Sequence, residues 1–312
     1  MEYRNLGRSG LRVSTVGLGC NNFGMKLDEA GTKAVLDAAF DVGITLFDTA
    51  DMYGGRGGSE THMGAVMGER RKEIVLATKF GWEMDDAGKK GGGSRKWIME
   101  AVEDSLRRLR TDWIDLYQLH KPDPLTPIDE TLRALDDLVS SGKVRYIGCS
   151  NLPAWQMVEA HFEAELANVG GFVSAQEEYN VLNRAIEKDV LPAARKYGFG
   201  LLPYFPLASG LLTGKYKREA MPEGGRLTAN PQFAGRDYVN DANWVKVEQM
   251  EAYAAERGHS LLELAFGWLL AEPATASVIA GATRPEQIAS NVNAAGWTMT
   301  PEEKAAIDAI AA

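Results

Sequence analysis

The chain has 312 residues, 45% hydrophobic and 25% charged, a globular composition and not a disordered one. Its 34 Lys and Arg are outnumbered by 43 Asp and Glu, and the net charge of −9 argues against nucleic-acid binding because it repels a phosphate backbone. Two cysteines, Cys20 and Cys149, cannot form a disulfide framework. The four histidines make no HxxxH or HExxH pair, so no metal site is expected, and the apolar stretch 261–282 is broken by Glu263, Glu272 and Pro273, which argues against a membrane span.

The opening MEYRNLGRSG has no apolar core of a signal peptide, so the expectation is a soluble cytoplasmic protein with reduced thiols. Residues 3–13 read as a short hairpin. From there apolar runs of strand length alternate with helical periodicity. Strands are expected at 15–18, 44–47, 74–77, 114–119, 144–149, 172–175, 200–203 and 277–280. Helices are expected at 28–42, 59–67, 94–109, 127–140, 154–165, 187–197, 244–257, 261–271 and 285–294. Gly43 and Gly198 stand where helix C-terminal glycines belong, and Ser59 and Ser94 where N-caps belong. Strands separated by helices pair in parallel through right-handed crossovers. Eight such units in about 300 residues favour an α/β fold that is a closed (β/α)8 TIM barrel over an open doubly wound sheet. No composition shift or linker divides the chain, so one domain over 1–312 is expected. Segments 85–93 and 204–243 stand outside the alternation, and loops this long tend to be functional.

Two motifs mislead. Gly17-Leu18-Gly19-Cys20-Asn21-Asn22 begins like a dinucleotide fingerprint but lacks the third glycine. The run from Gly210 to Lys215 is one residue short of a phosphate loop, with Tyr216 where Ser or Thr would stand.

A barrel enzyme builds its site from the C-terminal ends of its strands. Here those ends carry Asp48, Lys79, His120, Ser150-Asn151, Gln176, Tyr204 and Gly281 to Arg284. Taken singly each is unremarkable, since strand ends meet solvent, a lone histidine is usually structural and a lone lysine is usually a surface charge. Taken together they converge on one mouth. Asp48, Tyr53, Lys79 and His120 make joint chemical sense as a carbonyl-reducing set. Free tyrosine has a pKa of about 10. A Lys79 ammonium would lower it, Asp48 would hold Lys79, and His120 would orient a carbonyl oxygen.

These residues resemble the aldo-keto reductase family along nearly the whole chain. Phe47-Asp48-Thr49-Ala50-Asp51-Met52-Tyr53-Gly54 with Ser59-Glu60 is similar to the segment carrying the family's Asp and Tyr. Ala77-Thr78-Lys79 and Leu116-Tyr117-Gln118-Leu119-His120 are similar to its Lys and His segments. The resemblance implies a catalytic tetrad of Asp48, Tyr53, Lys79 and His120. It implies a nicotinamide cofactor whose carboxamide is held by Ser150, Asn151 and Gln176, with Gly19 and Asp48 lining the cleft. Tyr204-Phe205-Pro206-Leu207-Ala208-Ser209-Gly210 resembles the loop that stacks on the nicotinamide and wraps the pyrophosphate, with Lys215 and Arg226 as phosphate contacts. Gly281, Thr283, Arg284, Gln287 and Asn291 fall where the family binds the adenosine end.

Some members carry Lys at the position of Gly281 and Arg at that of Gln287, both reaching the 2′-phosphate. Here Arg284 and Arg226 are the substitutes, and NADP(H) is preferred over NAD(H). Phe23, Met25, Tyr53, Trp82 and His120, with Met84 and Phe233, suggest an apolar pocket for a small-molecule carbonyl substrate. The other tryptophans, Trp155, Trp244 and Trp268 among them, read as core. A competing reading is a redox-sensing regulatory subunit, since the resemblance extends to potassium-channel β-subunits. Those relatives place Asn at the fourth tetrad position, where this chain has His120. A metal-dependent barrel isomerase would need more strand-end carboxylates than Asp48 supplies. The sequence leaves oligomeric state open.

Overall fold

The computed structural model describes residues 1–222, 226–229 and 238–312, the side chains of Arg226 and Ala229 excepted. The pocket wall expected at Phe233 and the phosphate contact expected of Arg226 lie outside the described residues. Eight parallel strands form the barrel: β1 Val16–Gly19, β2 Leu46–Asp48, β3 Val75–Phe80, β4 Ile114–Leu119, β5 Val144–Ser150, β6 Ser174–Glu178, β7 Gly200–Tyr204 and β8 Val278–Gly281. From β1 to β7 each pairs with the next in chain order, and β8 pairs with β1, Gly281 opposite Gly19. Between β7 and β8 the ring is closed by Leu201, whose N–H donates to Ala274 O at 2.7 Å while its carbonyl accepts from Ala276 N–H at 2.9 Å.

The two-residue period of a strand divides its side chains between two cores. Leu46, Val75, Ala77, Leu116, Leu202 and Ile279 fill the barrel interior, joined by Leu6 and Val13 from the hairpin Tyr3–Asn5 with Arg12–Ser14. The hairpin therefore plugs the end of the barrel away from the strand C-termini. The alternate residues, among them Leu76, Phe80 and Tyr117, pack outward against the helices.

Helix ends follow local chemistry. Asp28 accepts from Gly31 N–H at 2.8 Å to start the helix Glu29–Asp41, and Gly43 follows it at φ 80°. Ser94 caps Arg95–Leu109 through Trp97 N–H as the sequence predicts. Ser59 does not cap: the helix Gly58–Val66 begins one residue earlier, after Gly57, and Ser59 is spent elsewhere. Sequence periodicity also missed a C-terminal helix, Pro301–Ala311. Its signal was present as Thr300-Pro301-Glu302-Glu303, a capping box with proline in the first turn. Trp268, fully buried, donates to Asp308 Oδ1 at 2.8 Å and ties this helix to Leu261–Leu270. Trp155 is not core, being 63% exposed, whereas Trp244 is buried. Cys20 and Cys149 are free and buried. Among the described residues no helix is long and apolar enough to cross a membrane.

Candidate active site

Extending the inward-facing series by two residues on three neighbouring strands brings the polar set together. Asp48 follows Leu46, Lys79 follows Val75 and Ala77, and Gln118 and His120 follow Leu116. Asp48 is opposite Ala77 and Lys79 is opposite Gln118 in register. At the mouth, Lys79 is fully buried and donates to Asp48 Oδ2 at 2.7 Å, Thr49 O at 2.8 Å and the Tyr53 hydroxyl at 3.3 Å. An ammonium has three protons, and here all three have acceptors. Asp48 Oδ1 accepts from Gln176 Nε2 at 2.9 Å and Gln118 Nε2 at 3.3 Å. A buried ion pair survives desolvation only when its remaining hydrogen-bonding capacity is used in this way. Gln118 was within a segment singled out in the sequence but carried no role there; counting two residues on from Leu116 is the signal that finds it.

Tyr53 is presented by a turn of unusual backbone. Gly54, Gly55, Arg56 and Gly57 are successively left-handed, at φ 70°, 73°, 68° and 110°. A Cβ on Gly54 would lie 2.4 Å from Ser59 N and 2.8 Å from Phe23 O. Ser59, read from sequence as a cap, instead fastens this turn to the barrel, donating to Cys20 O at 2.8 Å with Thr49 Oγ1 at 2.7 Å. Gly54→Ala is therefore expected to cost more than about 1 kcal/mol, through positive φ and steric overlap together, and to reduce turnover more than cofactor affinity. Thermal unfolding beside steady-state kinetics checks both.

The electrostatics correct one expectation. Burial raises the Tyr53 phenol and outweighs the lowering by Lys79, while Asp48 adds to the rise, so its pKa stands above the ordinary value and not below it. Asp48 has already neutralised the ammonium that was to do the lowering. For Lys79, burial works against the charge, but Asp48 and Tyr53 overcome it and the pKa is raised. Burial, then the Lys79 and Lys121 charges, push His120 well below its ordinary value, so it is a neutral imidazole near pH 7. Its ring meets Tyr53 edge-on at 5.7 Å and Trp82 edge-on at 6.0 Å, and its buried Nδ1 has no partner among the described residues. Trp82 in turn has the Lys121 ammonium over its ring at 4.2 Å. The site thus holds a protonated phenol, a locked ammonium and an uncharged imidazole around one point.

Beside them, Asn151 joins three strand ends from a left-handed conformation at φ 60°. Its Nδ2 donates to His120 O and Ser150 Oγ, both at 3.0 Å, and its Oδ1 accepts from the Tyr204 hydroxyl at 2.7 Å. Ser150 Oγ donates to Gln176 O at 2.8 Å. After β7, Phe205, Ala208 and Ser209 are all left-handed and Phe205 packs edge-on against Tyr204. In this loop Pro206 is buried and Leu207 O accepts from Gly210 N–H at 2.7 Å. Among the described residues Ser209 Oγ, which is buried, has no hydrogen-bond partner, a donor awaiting an acceptor.

Lys215 is exposed and lies over Tyr216 at 4.8 Å. Gln287 Oε1 accepts from Thr283 N–H at 2.7 Å, so it organises the turn before the helix Pro285–Ala294. Arg284 is exposed at that helix N-terminus, and Asn291 is buried about two turns further in. An orphaned serine hydroxyl, exposed Lys215 and Arg284, and a helix N-terminus suit a phosphate-bearing cofactor. Of the expected pocket walls, Trp82 is 37% exposed and Met25 71% exposed; Phe23 is fully buried in the core and presents no wall.

Comparison with known proteins places the chain in a family. The model of the Aldo/keto reductase family matches residues 15–312. A probable voltage-gated potassium channel subunit beta from Oryza sativa subsp. japonica is 39% identical, covering 99% of this chain and 96% of that protein. L-glyceraldehyde 3-phosphate reductase from Escherichia coli is 36% identical, over 99% and 92%. Aldo-keto reductase YhdN from Bacillus subtilis is 36% identical, over 99% and 93%. The chain belongs to the aldo-keto reductase family. It is an oxidoreductase acting on carbonyl groups.

Proposed function

We propose that this protein is an NADP(H)-dependent reductase that converts an aldehyde or ketone to the alcohol, with Tyr53 as proton donor. The observation that carries the reading is the Tyr53 hydroxyl held 3.3 Å from the Lys79 ammonium and edge-on to a neutral His120. When bound, the cofactor supplies the hydride that adds to the carbonyl carbon. The neutral imidazole of His120 donates a hydrogen bond to the carbonyl oxygen and fixes its direction. Tyr53 gives that oxygen its proton, and the phenolate left behind is stabilised by Lys79 until solvent returns the proton. Asp48, anchored by Gln118 and Gln176, keeps the ammonium in place. Ser150, Asn151 and Gln176 would hold the carboxamide, Tyr204 the ring face, Ser209 and Lys215 the phosphates, and Arg284 the 2′-phosphate.

A second reading, a cofactor-binding regulatory subunit with slow turnover, is favoured by one observation: relatives 39% identical are named as potassium channel β-subunits. The complete tetrad with His120 supports the enzyme. The relative named L-glyceraldehyde 3-phosphate reductase supports a small aldehyde as substrate.

The test is titration with NADPH and NADH by tryptophan fluorescence, followed by cofactor oxidation at 340 nm against aldehydes and ketones. Tight NADPH binding with turnover is expected; binding with no turnover of any carbonyl would favour the regulatory reading. In the same assay Arg284→Ala should weaken NADPH by about tenfold, the value of one charge-assisted hydrogen bond, and leave NADH nearly unchanged. Equal effects on both cofactors would remove Arg284 from 2′-phosphate recognition.

A further inference from the structure

We propose that Glu177 is a positioning residue for the nicotinamide end of the cofactor seat: its carboxyl group underlies the Asn151–Leu152 backbone and holds Asn151 in its left-handed conformation. This rests on the reading of Asn151 as a carboxamide contact. Asn151 is not glycine, so φ 60° has to be imposed by its surroundings. Its own N–H reaches Gln176 O only at 3.2 Å. The N–H groups of Asn151 and Leu152 are both turned toward the Glu177 carboxyl and favour its charged form. Glu177 is 6% exposed, and its buried Oε1 has no hydrogen-bond partner among the described residues. No ion pair involving it is present among the described residues. It is a buried acid with nothing to neutralise it, placed where it can hold the residue that ties together His120, Ser150 and Tyr204.

Burial pushes the Glu177 carboxyl up to about 8, against the lowering by the two amides and with a further rise from Asp189, which precedes the helix Val190–Tyr197. Cys149, on β5, faces it as a thiol pushed up by its own burial and by Glu177. The closed turn therefore keeps a proton that an open, hydrated turn would release. Closure is favoured at low pH, weakens as pH rises from the ordinary carboxylate range toward about 8, and then levels. Apparent cofactor affinity falls with the fraction of closed turn. Near the mouth His120 is pushed down, and Tyr53, Lys79, Cys20 and Cys149 are pushed up. Burial and Glu60 also raise the Asp51 carboxyl, and because Asp51 is common to wild type and Glu177→Gln, its titration drops out of the ratio of their affinities.

Glu177→Gln keeps the shape and is permanently neutral, whereas Glu177→Ala removes the support. The experiment measures NADPH Kd from pH 6.5 to 8.5 for the wild type and both variants. Hydrogen–deuterium exchange of the peptide spanning Asn151 is followed in the cofactor-free proteins. The ratio of wild-type Kd to Glu177→Gln Kd cancels the titration of the ligand itself. It is expected to climb several-fold across this range, and Glu177→Ala to speed exchange at Asn151 about tenfold. A ratio that does not change with pH, or exchange equal in wild type and Glu177→Ala, overturns the proposal. Failure of wild type to bind NADPH at any pH overturns the cofactor reading instead, and the exchange comparison still decides the role of Glu177.

Discussion

Tyr53→Phe is expected to lower kcat by about 10²–10⁴-fold, the usual contribution of a positioned general acid, while NADPH Kd stays within about twofold of wild type. The substitution removes one oxygen and leaves the ring that packs edge-on against His120. Among the described residues the hydroxyl has a single hydrogen-bond partner, the Lys79 ammonium. That ammonium keeps its two shorter bonds to Asp48 and Thr49 when the phenol is lost, so the ion pair stands. The effect should therefore fall on the chemical step, with kcat and kcat/KM reduced together, as for an interaction used only in the transition state. Because burial raises the phenol above its ordinary value, Tyr53 enters the reaction protonated across neutral pH. Wild-type reduction should then show no loss of rate from Tyr53 ionisation between pH 6 and 8. Normal turnover by Tyr53→Phe would assign the proton to another group.

Much of this site was legible in the sequence because strand periodicity and strand ends are local properties. Lys79 follows the inward residues Val75 and Ala77 at a spacing of two, and once a barrel is assumed its side chain has only one place to go. Boundaries were legible to within a few residues for the same reason: the strand Ile114–Leu119 was expected as found, and β6 was expected two residues early. What could not be read was the sign of the Tyr53 shift. That depends on how thoroughly the fold dehydrates the phenol and on how completely Asp48 cancels Lys79, both properties of packing. The role of Ser59 was misread because its type and position suit a cap, whereas the left-handed run from Gly54 to Gly57 starts the helix by backbone alone. Phe23 was taken for a pocket wall because it lies in a loop at the mouth; its burial comes from packing the sequence does not display. Glu177 gave no signal at all, since an acid at a strand end reads as a solvated charge.

Lys79→Met is expected to be the most damaging single change to the site, and its damage should divide between fold and chemistry. Lys79 is fully buried, and Asp48 is 3% exposed. Removing one member of such a pair leaves the other as an uncompensated charge, at about 3–5 kcal/mol. Methionine matches the length of the lysine stem, so little cavity is added and the loss measures the charge. Asp48 cannot reach water to recover solvation, and its remaining partners, Gln118 and Gln176, are neutral. Its carboxyl should take up a proton instead, which gives the destabilisation a pH dependence. The Lys79→Met protein should regain stability as pH falls toward the raised carboxylate range, while wild type, whose pair is intact, should not. The double variant Lys79→Met/Asp48→Asn tests this directly. If the stranded charge is the cause, the double variant should recover much of the lost stability and remain inactive, because the phenolate left on Tyr53 would have no cation beside it. Recovery of neither stability nor activity would locate the damage in packing and not in charge. Recovery of both would mean that Lys79 serves the fold alone and the reaction runs without it.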